Sequence, residues 1–298
     1  MEQQKTAFIA IVGRPNAGKS SLMNCLLGQK VVIVSDKPQT TRTRVMGVLT
    51  EEIYQYVFID TPGFHKPRTA LGENMIKAVG AGMDDVDLCM LVVDATKEPS
   101  AIEDELIEKF KQRHLPAILV INKIDLVKNK EELMTLIAQY SQRFDFAAVV
   151  PVSALSGDGV NTIKKEIAPF AVEGLHMFDA DTLTDQPERL IAAELIREKL
   201  LRLLNKEIPH GIAVVIERFH SREDVDMLDI EATIFCEKDS HKGIIIGKGG
   251  NMLKRAASYA RTDLERFFDC KVNLQCWVKV KEDWRNREGL IHSFGLDS

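Results

Sequence analysis

The 298-residue chain has no run that approaches the roughly 18 consecutive apolar residues of a membrane-spanning helix. Its first residues, Met1-Glu2-Gln3-Gln4-Lys5, lack the apolar core of a signal peptide, and no basic amphipathic helix or lipidation signal is present. Cysteine is scarce and odd in number: Cys25, Cys89, Cys236, Cys270 and Cys276, with no Cys-x-x-Cys spacing and no histidine at zinc-ligand distance. These absences argue against a disulfide framework and a structural zinc site, and they lead us to expect reduced thiols in a cytoplasmic protein. With 45% hydrophobic and 28% charged residues, the composition excludes disordered and fibrous classes, and the length suits two domains.

A single-sign charge excess is also missing, but the net charge of −5 conceals an asymmetry. Residues 1–200 hold 23 Lys and Arg against 28 Asp and Glu, whereas residues 201–298 hold 16 of each. Within the second part, Ser240–Lys281 carries nine basic residues against three acidic ones, a local footprint suited to a polyanion.

The apolar run Phe8–Val12 leads into Gly13-Arg14-Pro15-Asn16-Ala17-Gly18-Lys19-Ser20, and Ser21–Leu27 then shows a helical apolar face. Strand, Gly-x-x-x-x-Gly-Lys-Ser, helix is the order a phosphate-binding loop requires. Glycines let backbone amides turn onto phosphate oxygens at a helix N-terminus. Lys19 is placed to neutralise the β and γ phosphates, and the Ser20 hydroxyl to ligate Mg²⁺.

Up to about residue 170, apolar runs alternate with amphipathic helical segments, the pattern of a doubly wound α/β domain with a mostly parallel sheet. Strands are expected at Phe8–Val12, Tyr56–Asp60, Leu88–Asp94, Ala117–Asn122 and Ala147–Val152, with ligands at their carboxyl ends. The second run ends Asp60-Thr61-Pro62-Gly63-Phe64, where Asp60 suits Mg²⁺ and the Gly63 amide suits a γ-phosphate. The fourth ends Asn122-Lys123-Ile124-Asp125. The Asp125 carboxylate matches the N1–H and N2–H₂ donors of guanine, for which adenine has no counterpart. Asn122 is expected to tie this loop to the phosphate loop, and the Lys123 stem to lie over the base. At Ser153-Ala154 a backbone amide is expected to donate to guanine O6. The polar stretch Ser35–Arg44 is a segment that a γ-phosphate and Mg²⁺ would order, with Thr41 favoured as the ligand and Thr40 as the alternative.

These elements, with Gln39-Thr40-Thr41-Arg42 and Asp60-Thr61-Pro62-Gly63, resemble the Era group of translation-factor-class GTPases over residues 8 to about 165. The resemblance implies a Ras-like P-loop domain binding GTP or GDP with Mg²⁺. Phe64 stands where Ras-like proteins carry a water-orienting glutamine, so intrinsic hydrolysis is expected to be slow, on the order of 10⁻⁴ to 10⁻² s⁻¹. Related GTPases with a hydrophobic residue there use K⁺, which makes Asn16 a candidate K⁺ ligand.

Residues 171–190 mix Gly174, Pro187 and acidic groups and read as a linker between domains at 1–170 and 191–298. A helix is expected over Leu190–Asn205, strands over Ile212–Glu217 and Leu228–Phe235, a helix before and after Gly247-Lys248-Gly249-Gly250, and a last strand over Val272–Val280. A Gly-x-x-Gly turn between two helices lets the backbone approach a nucleic-acid phosphate, with charge from Lys248 and Lys254. The order helix, strand, strand, two helices, strand resembles a small α+β type II KH domain with its core at about 203–281, which the Era group also carries. The likeness then implies a monomeric GTPase that binds the 3′ end of 16S rRNA, acts in 30S subunit biogenesis, and associates loosely with the inner membrane. Two other readings stay open: a constitutive RNA-binding assembly factor, and a cell-cycle signalling switch with a protein partner. Lys248→Asp combined with Gly249→Asp is expected to abolish single-stranded RNA binding in a gel-shift assay while nucleotide binding persists; unchanged RNA affinity would exclude the clamp.

Overall fold

A computed structural model describes residues 3–37, 39–64, 67, 69–204, 208–222 and 224–296. Pro38, within the expected switch segment, and Asn205, at the end of an expected helix, lie outside the described residues. The first domain runs β1 (Lys5–Val12), α1 (Lys19–Leu27), β2 (Val45–Glu51), β3 (Tyr54–Asp60), α2 (Ala70–Ala81), β4 (Leu88–Asp94), α3 (Ala101–Arg113), β5 (Ala117–Asn122), α4 (Lys130–Ser141), β6 (Ala148–Pro151) and α5 (Val160–Ile167). Its strands are ordered β2-β3-β1-β4-β5-β6, all parallel except the β2–β3 pair. Every residue of β4 and β5 is buried, because helices cover both faces of the sheet. Leu22, Met23, Ile163 and Ile167 pack one face, and Leu106, Phe110, Leu136 and Tyr140 pack the other.

The antiparallel strand β2 has no counterpart among the expected strands. Gly47 interrupts its apolar pattern where β2 lies against α1: a Cβ there would stand 2.3 Å from Met23 Cε and 2.7 Å from Leu27 Cδ1, so those side chains would have to shift.

Residues 171–190 are hydrogen-bonded to the first domain along much of their length. A short strand β7 (Val172–Glu173) pairs with the start of β1. The Gln55 carboxamide accepts from the amides of Met177 (2.7 Å) and Phe178 (3.0 Å), and Thr184 bridges to Gly47 beside β2.

The second domain runs α6 (Glu188–Leu203), β8 (Ala213–Ser221), β9 (Met227–Cys236), α7 (Asp239–Ile246), α8 (Asn251–Phe268) and β10 (Lys271–Val280). Its sheet order is β10-β9-β8, with β10 parallel to β9 and β8 antiparallel to it. This is the type II KH topology. Ile196 and Leu200 of α6, Ile245 of α7 and Ala256, Ala260 and Leu264 of α8 close one face of that sheet.

Beyond β10 the chain continues into α9 (Glu288–Ser293), an element the sequence reading did not anticipate. The fully buried Trp284 donates from Nε1 to the Gly211 carbonyl at 2.9 Å. With Ile291 and Leu296 it covers Ala213 and Phe235 on the second face of the sheet, and Leu71 of α2 joins the same cluster. The C-terminal segment therefore packs against both domains.

Candidate nucleotide site and nucleic-acid interface

The phosphate loop lies at the carboxyl end of β1, between β3 and β4. Two of its positions admit only glycine. A Cβ at Gly13 (φ +150°) would stand 2.2 Å from the Val92 carbonyl oxygen, and one at Gly18 (φ +94°) would stand 2.2 Å from Asn122 Nδ2. The Lys19 ammonium is buried and donates to the carbonyls of Gly13 and Arg14, both at 3.2 Å. Burial lowers its pKa, and the neighbouring Asp60 opposes that shift. The Arg14 side chain turns away from the loop, onto the Glu103 carboxylate and the Glu98 carbonyl.

Asp60, at the end of β3, gathers two hydroxyls. Ser20 Oγ donates to its Oδ2 at 2.7 Å, Thr41 Oγ1 lies 3.3 Å from the same oxygen, and the two hydroxyls are 2.9 Å apart. Asp60 Oδ1 is buried and has no hydrogen-bond partner. Burial raises the Asp60 pKa despite Lys19 and the hydroxyl donors. A buried carboxylate with one unpartnered oxygen beside two hydroxyls is an all-oxygen donor set, and it fits a hard divalent cation such as Mg²⁺. Thr40 points elsewhere: its hydroxyl donates to the Lys37 carbonyl at 2.7 Å. Pro15, Asn16, Gly18, Lys19, Ser20, Ser21, Thr40, Thr41 and Gly63 line a cleft of only about 50 Å³, so the switch segment lies close over the loop. Gly63 packs on Pro15, where a Cβ would meet its Cα at 2.7 Å, and Thr61 Oγ1 donates to the Ile11 carbonyl at 2.9 Å beside Pro62. Phe64 is buried, donates its amide to the Gly13 carbonyl at 3.2 Å, and receives Lys109 Nζ 4.9 Å from its ring centroid.

The base side is assembled by Asn122. Its Nδ2 donates to the Ala17 carbonyl at 3.0 Å, and its Oδ1 accepts the amides of Lys123 (2.8 Å) and Ala154 (3.0 Å). Asp125 Oδ1 accepts from Ser153 Oγ at 2.6 Å, and the Ile124 amide donates to the Val152 carbonyl at 3.2 Å. Ile124, Asp125, Ser153, Ser156 and Asp158 line a cleft of about 260 Å³. Of the two amides expected to face guanine O6, that of Ser153 here donates to the Asp158 carbonyl and that of Ala154 to Asn122 Oδ1.

Sequence reasoning missed two arginines that bind the switch segment to the second domain. Arg197 of α6 donates to the Thr40 carbonyl and is held by Glu194 at 2.6 and 2.7 Å. Arg42 donates to the carbonyls of Ile212 (2.6 Å) and His210 (3.0 Å), with its guanidinium carbon 5.6 Å from the centroid of the Trp284 ring. Burial, reinforced by the nearby Arg197 charge, lowers the Arg42 pKa well below its ordinary value. In the sequence Arg42 is one of two arginines in the polar run Ser35–Arg44, and nothing there signals its burial.

The candidate nucleic-acid face lies where α7 meets α8. Gly247 (φ +73°) could not carry a Cβ, which would stand 2.6 Å from Met252 Cβ, while Gly249 and Gly250 adopt left-handed φ values in open space. No side chain caps the N-terminus of α8, so its first amides stay available to phosphate oxygens, with Lys248 and Lys254 exposed beside them.

A phosphate loop at the end of β1 and an Asn-Lys-x-Asp loop at the end of β5, on a mostly parallel sheet, give the first domain the form of a P-loop GTPase, here joined to a KH domain. Residues 8–123 match the family model described as 50S ribosome-binding GTPase, and residues 207–285 match that of the KH domain. The chain is 48% identical to GTPase Era of Ruminiclostridium cellulolyticum, over 98% of this chain and 97% of that one. It is 49% identical to GTPase Era of Clostridioides difficile, over 98% and 99%. A crystal structure of Era with MgGDPNP and nucleotides 1506–1542 of 16S ribosomal RNA superposes with a TM-score of 0.95 at 38% identity, covering 99% of this chain and 100% of that one. A variant of Aquifex aeolicus Era bound to GDP·AlF₄⁻ gives the same TM-score and identity, again over 99% and 100%. The chain belongs to the Era family of GTPases.

Asp125→Asn exchanges two acceptors for one acceptor and one donor, which suits the 2-oxo group of xanthine. GTP affinity should fall by about 10²-fold or more and XTP should become the better ligand in a competition assay; retained GTP preference would remove Asp125 from the base site.

Proposed function

We propose that the protein is a GTP-hydrolysing switch whose KH domain clamps the 3′ end of 16S rRNA during 30S subunit assembly, with nucleotide state setting the grip. The observation that carries this reading is the attachment of the switch segment to the second domain through Arg197 on the Thr40 carbonyl and Arg42 on the carbonyls of His210 and Ile212. A γ-phosphate that repositions Thr41 must move the same segment, and thereby the α6–β8 region that supports the KH sheet. The 16S rRNA complex of the superposing Era structure supports the choice of RNA.

In this reading Ser20 and Thr41 hold Mg²⁺, with Asp60 bound directly or through water, and the ion neutralises charge on the β and γ phosphates. Lys19 exchanges its bonds to the Gly13 and Arg14 carbonyls for phosphate oxygens, and the Gly63 amide senses the γ-phosphate. The Phe64 side chain has no hydrogen-bonding group with which to orient water, so intrinsic turnover is slow. Asn16 is the candidate K⁺ ligand, and hydrolysis that runs equally fast in Na⁺ and K⁺ would remove that role. Family likeness also supports a cytoplasmic monomer with loose association at the inner face of the membrane. Among the described residues no helix is long and apolar enough to cross one.

The test is the affinity of a labelled RNA matching the 16S 3′ end, at fixed salt, for apo, GDP-bound and GDPNP-bound protein. We expect binding to be tightest with GDPNP and Arg42→Ala to reduce the difference between the nucleotide states. Equal affinity in all three states would mean a constitutive RNA-binding factor and end the switch reading.

A further inference from the structure

The strand β4 ends on Asp94, a carboxylate with no role in the site as described so far. One of its oxygens accepts the Thr96 amide (3.0 Å) and the Thr96 hydroxyl (2.7 Å). The other receives the Lys123 ammonium at 2.6 Å. The same ammonium donates to the Asn16 carbonyl of the phosphate loop at 2.7 Å. Asn16 holds a left-handed φ of 62°, and its carboxamide donates to the Asp36 carbonyl at 2.8 Å. Lys123 is itself left-handed, at φ 67°, with its amide on Asn122. This is not an ordinary surface ion pair, since the Asp94 side chain is only 12% exposed.

We propose that Asp94 is a positioning residue for guanine nucleotide: it pins the Lys123 ammonium to the phosphate loop, so that the Lys123 stem is held in place beside Asp125 before the nucleotide arrives. The proposal rests on the nucleotide reading of the first domain. A lysine stem is long and rotatable, and laying it on a base from a free state costs side-chain entropy at the moment of binding. Anchoring its charged end beforehand removes that cost from nucleotide binding. The same ammonium joins the base loop to Asn16, and so to the switch segment at Asp36. Burial raises the Asp94 pKa, but the donors from Lys123 and Thr96 outweigh it and hold the carboxyl below its ordinary value. Asp94 therefore stays an anion at neutral pH. Its hydrogen bonds go to Thr96 and Lys123 and not to Ser20, Thr41 or Asp60, so its effect is expected first in nucleotide binding.

Asp94→Asn keeps an acceptor for Thr96 but removes the charge that holds Lys123. Loss of a charge-assisted bond should speed GDP release on the order of tenfold. The KM for GTP should rise by a similar factor while kcat stays within about twofold, a split that general loss of folded protein does not produce. Lys123→Met keeps the stem and deletes the ammonium. It should give the same loss, and the double variant should be no worse than either single one. Release of a fluorescent GDP analogue by stopped flow reads all four proteins. Release within twofold of wild type for Asp94→Asn, additive effects in the double variant, or a fall in kcat instead of a rise in KM would overturn the proposal. Failure of the unaltered protein to bind the GDP analogue would instead overturn the nucleotide reading itself.

Discussion

The Asn122 carboxamide, 2% exposed at the end of β5, holds three loops in register: the phosphate loop through Ala17, its own loop through the Lys123 amide, and the last strand-end loop through the Ala154 amide. Each bond contributes only about 1 kcal/mol net, but losing the side chain would leave buried partners unsatisfied, at a cost of about 1–3 kcal/mol each. The same group explains Gly18, whose missing side chain is the space that Nδ2 occupies. Phosphate side and base side can thus be built by strands far apart in sequence and still face one ligand, because one amide reads both.

A second constraint lies between the domains, where charge is buried and must be paired. Glu198 of α6 is fully buried and receives Lys30 (2.6 Å), Lys199 (2.9 Å), Arg202 (2.9 Å) and the Val34 amide (3.0 Å). Asp263 of α8 shares Lys30 and Lys199. Arg42 of the switch segment and Arg197 of α6 add two nearly inaccessible guanidiniums to the same boundary. Lys30, Val34, Thr40 and Arg42 therefore form one strip along which the KH domain is attached, beside the contact of the C-terminal segment with α2. A ligand that moves this strip changes which buried charges keep their partners, and such a difference between two states is what a conformational switch requires.

Much of the nucleotide site was legible because polar residues follow buried apolar strands at Asp60 and Asn122, and Asp125 comes three residues after Asn122. Asp94 carries the same signature and was passed over. It precedes Ala95-Thr96, so it reads as a capped turn, and its partner Lys123 is 29 residues away. The strand β2 escaped notice because Gly47, which packs on the Met23 and Leu27 side chains of α1, looks like a break in pattern. The segment from Trp284 to Leu296 escaped because its elements are short and its apolar residues find partners in β8, β9 and α2. Arg42 and Arg197 were unreadable for a related reason: an arginine satisfied by backbone carbonyls of another domain leaves no periodicity behind.

Residue types at fixed local spacing pointed to the chemistry. The phosphate loop, the Asn-Lys-x-Asp loop and the Gly-x-x-Gly turn each lie within one short stretch, where glycine conformations and adjacent side chains make the site almost without help. What the spacing left open was geometry across the chain, and the choice between Thr40 and Thr41 is the clearest instance. Both are threonines in the same loop. Only the folded path of the segment, held by Arg197 at the Thr40 carbonyl and by Arg42 against the second domain, turns the Thr41 hydroxyl toward Ser20 and Asp60 while the Thr40 hydroxyl closes on Lys37. Local motifs are written in neighbouring residues, whereas the orientation of a loop depends on anchors that only tertiary packing brings within hydrogen-bond reach.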